Sequence, residues 1–571
     1  MHDLVVRGGT IVDGTGRERF MGVMAIERGR VVAVGSVAER GRRELDARGA
    51  IVAPGWVDVH THYDGQVTWD PLLAPSSWHG VTTLVMGNCG VGFAPVRPGS
   101  EPFLIELMEG VEDIPGTALS EGIDFCWESF PEYLDALDGM PRVLDVAAQV
   151  PHCAIRAYVL GERAHDTELT PDEIAALAQL TLDGLRAGAV GFSTSRTILH
   201  RSVHGLVPGT HSRPEELLAI GRAMGEAGHG VFEMVSDGVG SKEEMEWMRT
   251  FCRESGRSLT YAIAQVPHDP TGWRRMLARA EQLVAQGERV VPQVPCRPTG
   301  MLFGLQSSLH PFIAHPSYRR IAQLPLAERV AKLREPAFRA ALLAEEPQTH
   351  DPIARALMSN WRGIFPLGDP PDYEPPASLC VAAAAAREGR RPEEVALDWL
   401  LAREGKELLF APLANYVDCD FEALREMMLH PRTVLGLSDG GAHCGLICDA
   451  SMPTYLLTHW VRDRSRGARI PLETAVRLQT KNTADVWGFS DRGTLEVGKK
   501  GDLNVIDLDA LALEAPEMVH DLPAGGRRLI QRARGYRATV CAGELTFEDG
   551  EPTGARPGRL VRGGPRGAAA A

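Results

Sequence analysis

The chain has 571 residues, of which 44% are hydrophobic and 24% charged, an ordinary composition for a soluble globular protein. Its 75 acidic and 60 basic side chains leave a formal net charge of −15, which argues against non-specific binding to nucleic acid or to an anionic membrane. So long a chain exceeds one simple core, and a large domain with a smaller one is expected.

The opening residues, Met1 to Val6, show no charged region running into a long apolar stretch. No run approaches the roughly 18 to 20 apolar residues that a bilayer-spanning helix needs. Ten cysteines are scattered without a CxxC pair, which fits reduced thiols in a cytoplasmic protein.

In chain order, Leu4 to Arg7 and Thr10 to Val12 read as short strands separated by Gly8-Gly9, and Arg30 to Val34 as a third. Candidate strands then recur at Val57 to His62, Thr82 to Gly87, Val143 to Val150, Val190 to Ser193, Gly230 to Met234, Thr260 to Gln265, Val290 to Val294 and Thr433 to Leu437. Helical patterns alternate with them, which favours a parallel sheet, and eight such units fit an α/β, TIM-like (β/α)8 barrel. Near the far end, Asp502 to Asp507, Arg537 to Ala542 and Glu544 to Phe547 again read as strands. The expected organisation is a small β-domain built from both termini, residues 1–54 with 485–571, around a barrel spanning residues 55–484. Two insertions, at about residues 101–140 and 295–432, exceed a minimal barrel. They are expected to shape the active site or, for the second, to serve packing or self-association. Pro552 to Ala571 reads as a weakly ordered tail or an arm on a neighbouring copy, so a homo-oligomer is an open expectation.

The sharpest feature is Val57-Asp58-Val59-His60-Thr61-His62. Residues two apart in a strand share a face, so His60 and His62 project together at the catalytic end of a barrel strand, where two neutral imidazoles can bind one divalent metal. Asp58 has the same parity and suits a supporting role. A lone HxH also arises by chance. Thr433 to Leu437 leads into Ser438-Asp439-Gly440-Gly441-Ala442-His443, where Asp439 sits at the mouth of the last strand, placed to move a proton of an ion-bound water. An Asp before Gly-Gly is also a common turn residue.

Pro54-Gly55-Trp56-Val57-Asp58-Val59-His60-Thr61-His62 resembles the opening motif of the amidohydrolase superfamily. His79-Gly80-Val81-Thr82-Thr83, Gly87-Asn88-Cys89-Gly90, Ala189 to Ser195 and Ser438-Asp439-Gly440 resemble its N-acyl-D-amino-acid deacylase branch. So do Gly8 to Gly14 and Lys500 to Asn504, while the likeness thins across Pro295 to Arg432. The resemblance implies that His60, His62 and Cys89 bind the metal, that Asp439 is catalytic, and that the ion is zinc, since soft sulfur favours zinc over magnesium. Taken alone, Cys89 reads as a small core residue.

The pattern breaks on the fifth and sixth strands, where the branch carries further metal-binding histidines. Here those strands read Gly230 to Val235 and Tyr261 to Gln265, offering Glu233 as an oxygen ligand and Gln265 as a weak one or as a pocket residue. A site of His60, His62 and Asp439 with Cys89 or Glu233 remains. His152, Ser193, Arg196, Gln265 and Arg297 lie at other strand ends and are candidates to bind substrate, with Arg196 or Arg297 suited to a carboxylate and each equally able to form an ordinary salt bridge. His200, His204 and His211 read as surface or lid residues. The expected activity is hydrolysis of a small-molecule amide, an N-acyl amino acid of possible D configuration. The alternatives are a cyclic-amide hydrolase, a deaminase, or a metal-poor barrel with a binding role.

Overall fold

Both ends of the chain meet in one sheet. In the computed structural model, which describes residues 1–564, nine strands pair in the order Glu551–Pro552, Glu544–Glu548, Tyr536–Cys541, Leu503–Ile506, Ile51–Pro54, His2–Ile11, Phe20–Glu27 and Arg30–Gly35, with Gly41–Asp46 alongside His2–Ile11. Leu4 to Arg7 and Thr10 to Val12 are one strand rather than two. Gly8, at φ 74°, lets the chain pass through a register shift between Val6 and Gly9 without breaking the pairing. Phe20–Glu27, Gly41–Asp46 and Ile51–Pro54 were not expected from the sequence. The Gly41–Asp46 strand is too charged to show an alternating pattern, as befits an exposed edge.

The middle of the chain forms eight parallel strands: β1 (Trp56–Asp58), β2 (Val81–Met86), β3 (Asp145–Pro151), β4 (Gly191–Arg196), β5 (Val231–Ser236), β6 (Ser258–Ala262), β7 (Val290–Val294) and β8 (Val434–Leu435). They pair in that sequence, each parallel to the next. Crossover helices cover the outside, so β2 is buried at every position, as parallel strands require. β1 and β8 are shorter than expected, ending before His60 and before Leu437. Past those ends the curled sheet is closed by the segments that follow. Thr61 bridges to Gly440, the His62 amide donates to the Gly440 carbonyl at 2.7 Å, and the Asp439 amide donates to the His60 carbonyl at 3.1 Å. The seam of the barrel is therefore also where His60, His62 and Asp439 meet.

The first insertion folds as helix α1 (Glu101–Glu112) followed by helices Gly116–Gly122 and Phe130–Asp138. The second has its own three-stranded sheet, Gly300–Phe303, Leu409–Pro412 and Phe365–Pro366, and its own apolar cluster around Phe303, Leu333, Leu342 and Leu397. The expected helices at 326–333 and 392–403 appear there as Leu326–Arg334 and Pro392–Leu400.

The end of the chain does not hang free as far as residue 564. It threads beside β3, where Val146 donates to the Arg559 carbonyl at 3.0 Å and Val561 donates to the Val146 carbonyl at 2.7 Å. Residues 565–571, part of the expected tail, lie outside the described residues. Asp145 at the start of β3 ties the pieces together. It accepts from Arg492 at 2.7 Å and from the Arg559 amide at 2.9 Å, and it lies 2.9 Å from Lys500. Burial pushes this carboxyl up, but Lys500 and Arg492 outweigh burial and hold it below the usual carboxylate range. Its contribution to stability is thus present at neutral pH and lost only as pH falls through the lowered value. Asp145→Asn should destabilise the protein by about 3–5 kcal/mol, because it leaves buried cations short of their counter-charge. A lowered urea midpoint at pH 7 checks this.

No helix among the described residues is long and apolar enough to cross a membrane, and all ten cysteines are free.

Candidate metal centre

The chain just past β1 delivers two imidazoles into the barrel mouth, both about 1% exposed. His60 donates from Nδ1 to the Gln293 side-chain oxygen on β7 at 3.1 Å, which leaves Nε2 facing inward. Cys89 follows β2 in a left-handed conformation, φ 56°, that an L residue adopts only when its surroundings hold it. They do so here. Its amide donates to Glu233 Oε2 on β5 at 3.0 Å, and the next amide, Gly90, donates to Ser193 Oγ on β4 at 3.0 Å. A Cβ on Gly90 would lie 2.9 Å from the Thr194 backbone, so only glycine lets this turn approach β4. The thiol then lies 3.5 Å from His60 Nε2, and the donor atoms of His60, His62 and Cys89 all fall within 4.8 Å of one another.

Asp439 arrives from the opposite side of the seam. Its Oδ1 is 3.4 Å from His60 Nε2 and 3.7 Å from His62 Nε2. Leu437, Asp439 and His443 all have positive φ, of 62°, 47° and 52°. A Cβ on Gly441 would lie 2.8 Å from the His62 carbonyl. The strained turn is what aims the carboxylate inward rather than along the strand. Asp58 accepts from Ser438 Oγ at 2.5 Å, which braces the same turn against β1.

Charge is unevenly placed. Asp58, Asp64, Glu112, Glu233 and Asp439 crowd around the two imidazoles, and among the described residues none of these five is paired with a lysine or arginine. Burial pushes Asp58 and Asp64 up to about 7 and Glu233 up to about 8. Burial also lowers His60 to about 4, against the pull of Asp439. For His62 burial is outweighed by Glu112 and Asp439, and its pKa rises to about 9. Burial likewise fails to neutralise Asp439, which its histidine neighbours hold well below the usual range. The Cys89 thiol is raised well above its ordinary value by burial and by the surrounding carboxylates. A buried surplus of acid beside a thiol is what a divalent cation would compensate. The sulfur, nitrogen and oxygen donors suit zinc, and the buried Glu233 Oε1, without a hydrogen-bond partner among the described residues, offers one more donor. The residues fit such an ion.

The other sequence-derived candidates are not drawn into this cluster. His152 is fully buried with both ring nitrogens engaged, by Thr194 Oγ1 at 2.7 Å and Glu216 Oε1 at 2.8 Å. Ser193 braces the Cys89 turn. Arg196 grips Glu244 at 3.1 Å and the Ser212 carbonyl at 2.8 Å, and Gln265 holds Asp418 at 2.8 Å. Arg297 pairs with Asp449 at 2.8 Å over the Tyr373 ring, yet its Nε and one terminal nitrogen have no hydrogen-bond partner among the described residues. Conversely, Glu112, Asp64 and His443 belong to the site and were not singled out for it. His200 is not merely a surface residue. Its Nδ1 lies 2.9 Å from Ser195 Oγ, and burial, aided by the nearby His443 and His62, pushes its pKa down to about 3. Glu112 lies on an inserted helix, beyond any argument from strand ends.

An ionised carboxylate stands opposite two imidazoles and a thiol at the open end of a parallel barrel, a donor set able to activate water against an electrophilic carbon, which is the chemistry of a hydrolase barrel. The chain belongs to the amidohydrolase family, whose family model matches residues 43–547. It is thus a hydrolase acting on carbon–nitrogen bonds other than peptide bonds. It is 25% identical to a D-aminoacylase of Alcaligenes xylosoxydans xylosoxydans, covering 98% of this chain and 97% of the relative. It is also 25% identical to an N-acyl-D-aspartate deacylase of the same organism, over 98% of this chain and 95% of that one. Among solved structures, an N-acyl-D-glutamate deacylase from Bordetella bronchiseptica, complexed with zinc and a phosphonate mimic of the tetrahedral intermediate, superposes with a TM-score of 0.65 at 24% identity, covering 98% of this chain and 100% of that one. A crystal structure of D-aminoacylase gives 0.64 at 22% identity over 99% and 100%. These superpositions establish the fold.

Proposed function

We propose that the protein is a zinc-dependent deacylase that cleaves the amide bond of N-acyl amino acids, those of D configuration first. The single observation that carries this is the meeting of His60, His62, Cys89 and Asp439 at the barrel seam, in a chain whose full-length relatives include a D-aminoacylase and an N-acyl-D-aspartate deacylase. His60, His62 and Cys89 would hold the ion, with Asp439 and Glu233 as further oxygen donors.

When bound, the ion supplies Lewis acidity and a water of lowered pKa. The chain's own residues do the rest. Asp439 is ionised and turned into the mouth, so its carboxylate can take the proton of the attacking water and pass it to the departing amine nitrogen. Asp58, through Ser438, keeps that carboxylate aimed. Arg297 retains donors unpartnered among the described residues and is the substrate-carboxylate candidate of the set, whereas the polar atoms of His152, Ser193, Arg196 and Gln265 are taken up by other protein groups. The same proposal has the enzyme working in the cytoplasm on a small molecule, with no nucleic-acid or membrane partner.

The test is to reconstitute the protein with zinc and offer paired D and L isomers of N-acetyl amino acids, with hydantoins and lactams as controls. Release of free amino acid from the D series, at least tenfold faster than from the L series, is the expected result. Turnover of the cyclic amides alone, or of no amide at all, overturns the proposal.

A further inference from the structure

The two histidines of the cluster are held by unlike partners. His60 Nδ1 rests on a neutral amide, the Gln293 oxygen at 3.1 Å. His62 Nδ1 instead faces a carboxylate, Glu112 Oε1, at 3.3 Å. Both atoms are buried, both residues are about 1% exposed, and neither atom has a hydrogen-bond partner among the described residues. Two orphaned buried atoms of opposite character facing each other make a pair that a small rotation closes. The second Glu112 oxygen, Oε2, lies 3.5 Å from His443 Nε2.

The backbone shows how deliberately this carboxylate is anchored. Glu112 ends helix α1, and Asp113 turns the chain in the left-handed region at φ 51°. The Glu112 carbonyl accepts from the His443 amide, while Asp113 accepts from Ser308 Oγ at 3.0 Å and from the Gly445 amide at 3.1 Å. One helix end therefore stitches together the inserted helix, the turn after β8 and the second insertion. A buried acid kept only for packing would not need to meet an unpartnered ring nitrogen of a metal-binding residue.

We propose that Glu112 is the positioning residue of the centre: it accepts the Nδ1 proton of His62, fixes the ring's tautomer and angle, and so presents Nε2 to the ion, while steadying His443 at the rim. This inference rests on the metal-centre reading of His60, His62 and Cys89. A carboxylate behind a ligating imidazole also makes the ring a stronger donor, which is where a glutamate differs from the glutamine behind His60. The residue comes from an insertion rather than from a barrel strand, so the barrel's ligand set is completed by a helix that a minimal barrel lacks.

The test uses metal-free full-length protein titrated with cobalt(II), read at the thiolate-to-cobalt charge-transfer band that Cys89 provides, with thermal unfolding of each metal-free variant as a control for folding. Glu112→Gln should weaken cobalt binding by about 10- to 100-fold. Glu112→Asp should recover part of the loss, and Glu106→Gln, on the exposed face of the same helix, should bind as the parent does. Affinity of Glu112→Gln within twofold of the parent overturns the proposal. Should Glu112→Gln not fold, Glu112→Asp decides: parent-like affinity overturns it, and weaker binding at an unchanged unfolding midpoint supports it. A parent without the charge-transfer band overturns the metal centre and this proposal together. A parent that binds cobalt but releases no amino acid from any N-acyl substrate overturns only the substrate assignment, and the Glu112 comparison still stands.

Discussion

Asp439→Asn should lower kcat by about 10²- to 10⁴-fold, the range over which a positioned acid–base group acts, with KM changed far less. Asparagine keeps the shape of the side chain and one oxygen toward His60 and His62, so the turn and the ion should both survive. What is lost is the ability to hold a proton. The native group is suited to that role because its histidine neighbours keep it ionised although it is buried, and because the strained turn at Leu437, Asp439 and His443 directs it into the barrel mouth. Steady-state kinetics on the best N-acyl substrate, with zinc content measured on the same sample, separates the two effects. Turnover within threefold of the parent at equal zinc content would remove Asp439 from the chemistry.

Cys89→Ala should cost the protein its ion. The thiol sits among carboxylates that push its pKa well up, so only a bound cation makes the thiolate favourable there. Without sulfur the site keeps His60 and His62 with oxygen donors alone, and affinity for zinc should drop by at least about 10²-fold, with activity following. Elemental analysis after dialysis against a weak chelator is the measurement, with substoichiometric zinc expected in the variant and retention in the parent. Full zinc occupancy in Cys89→Ala would make Cys89 the packing residue that its composition alone suggests, and would shift the third ligand to Glu233, whose Oε1 is already unpartnered. Added zinc in excess should restore part of the activity of Cys89→Ala but none of that of Asp439→Asn, a contrast that distinguishes loss of the ion from loss of the proton carrier.

How much of this was legible beforehand depends on how far apart the interacting groups lie. The barrel strands are local runs of apolar residues between turns, so all eight were placed within a few residues of where they stand. The last, at Val434–Leu435, is two residues long, because the chain leaves strand geometry at Leu437 to build the turn that aims Asp439. The charged strand Gly41–Asp46 carries no apolar alternation and was invisible for that reason. His60 and His62 could be paired from their spacing, and Asp439 from its place after the final strand. Cys89 needed the family likeness, since a buried cysteine has no signature of its own.

Short-range pattern determined the strands, the class of fold and the residue types able to grip an ion, because those depend on neighbours a few positions away. The tertiary structure alone decided which side chains stand free to act. Arg196, His152 and Gln265 look like substrate contacts in the sequence, but partners 48, 64 and 153 positions along the chain hold them in place. Glu112 looks like the end of an ordinary helix, yet it faces His62 across 50 residues of chain. Hydrogen bonds and charge pairs of that reach are set by how the layers pack, and no local pattern records them.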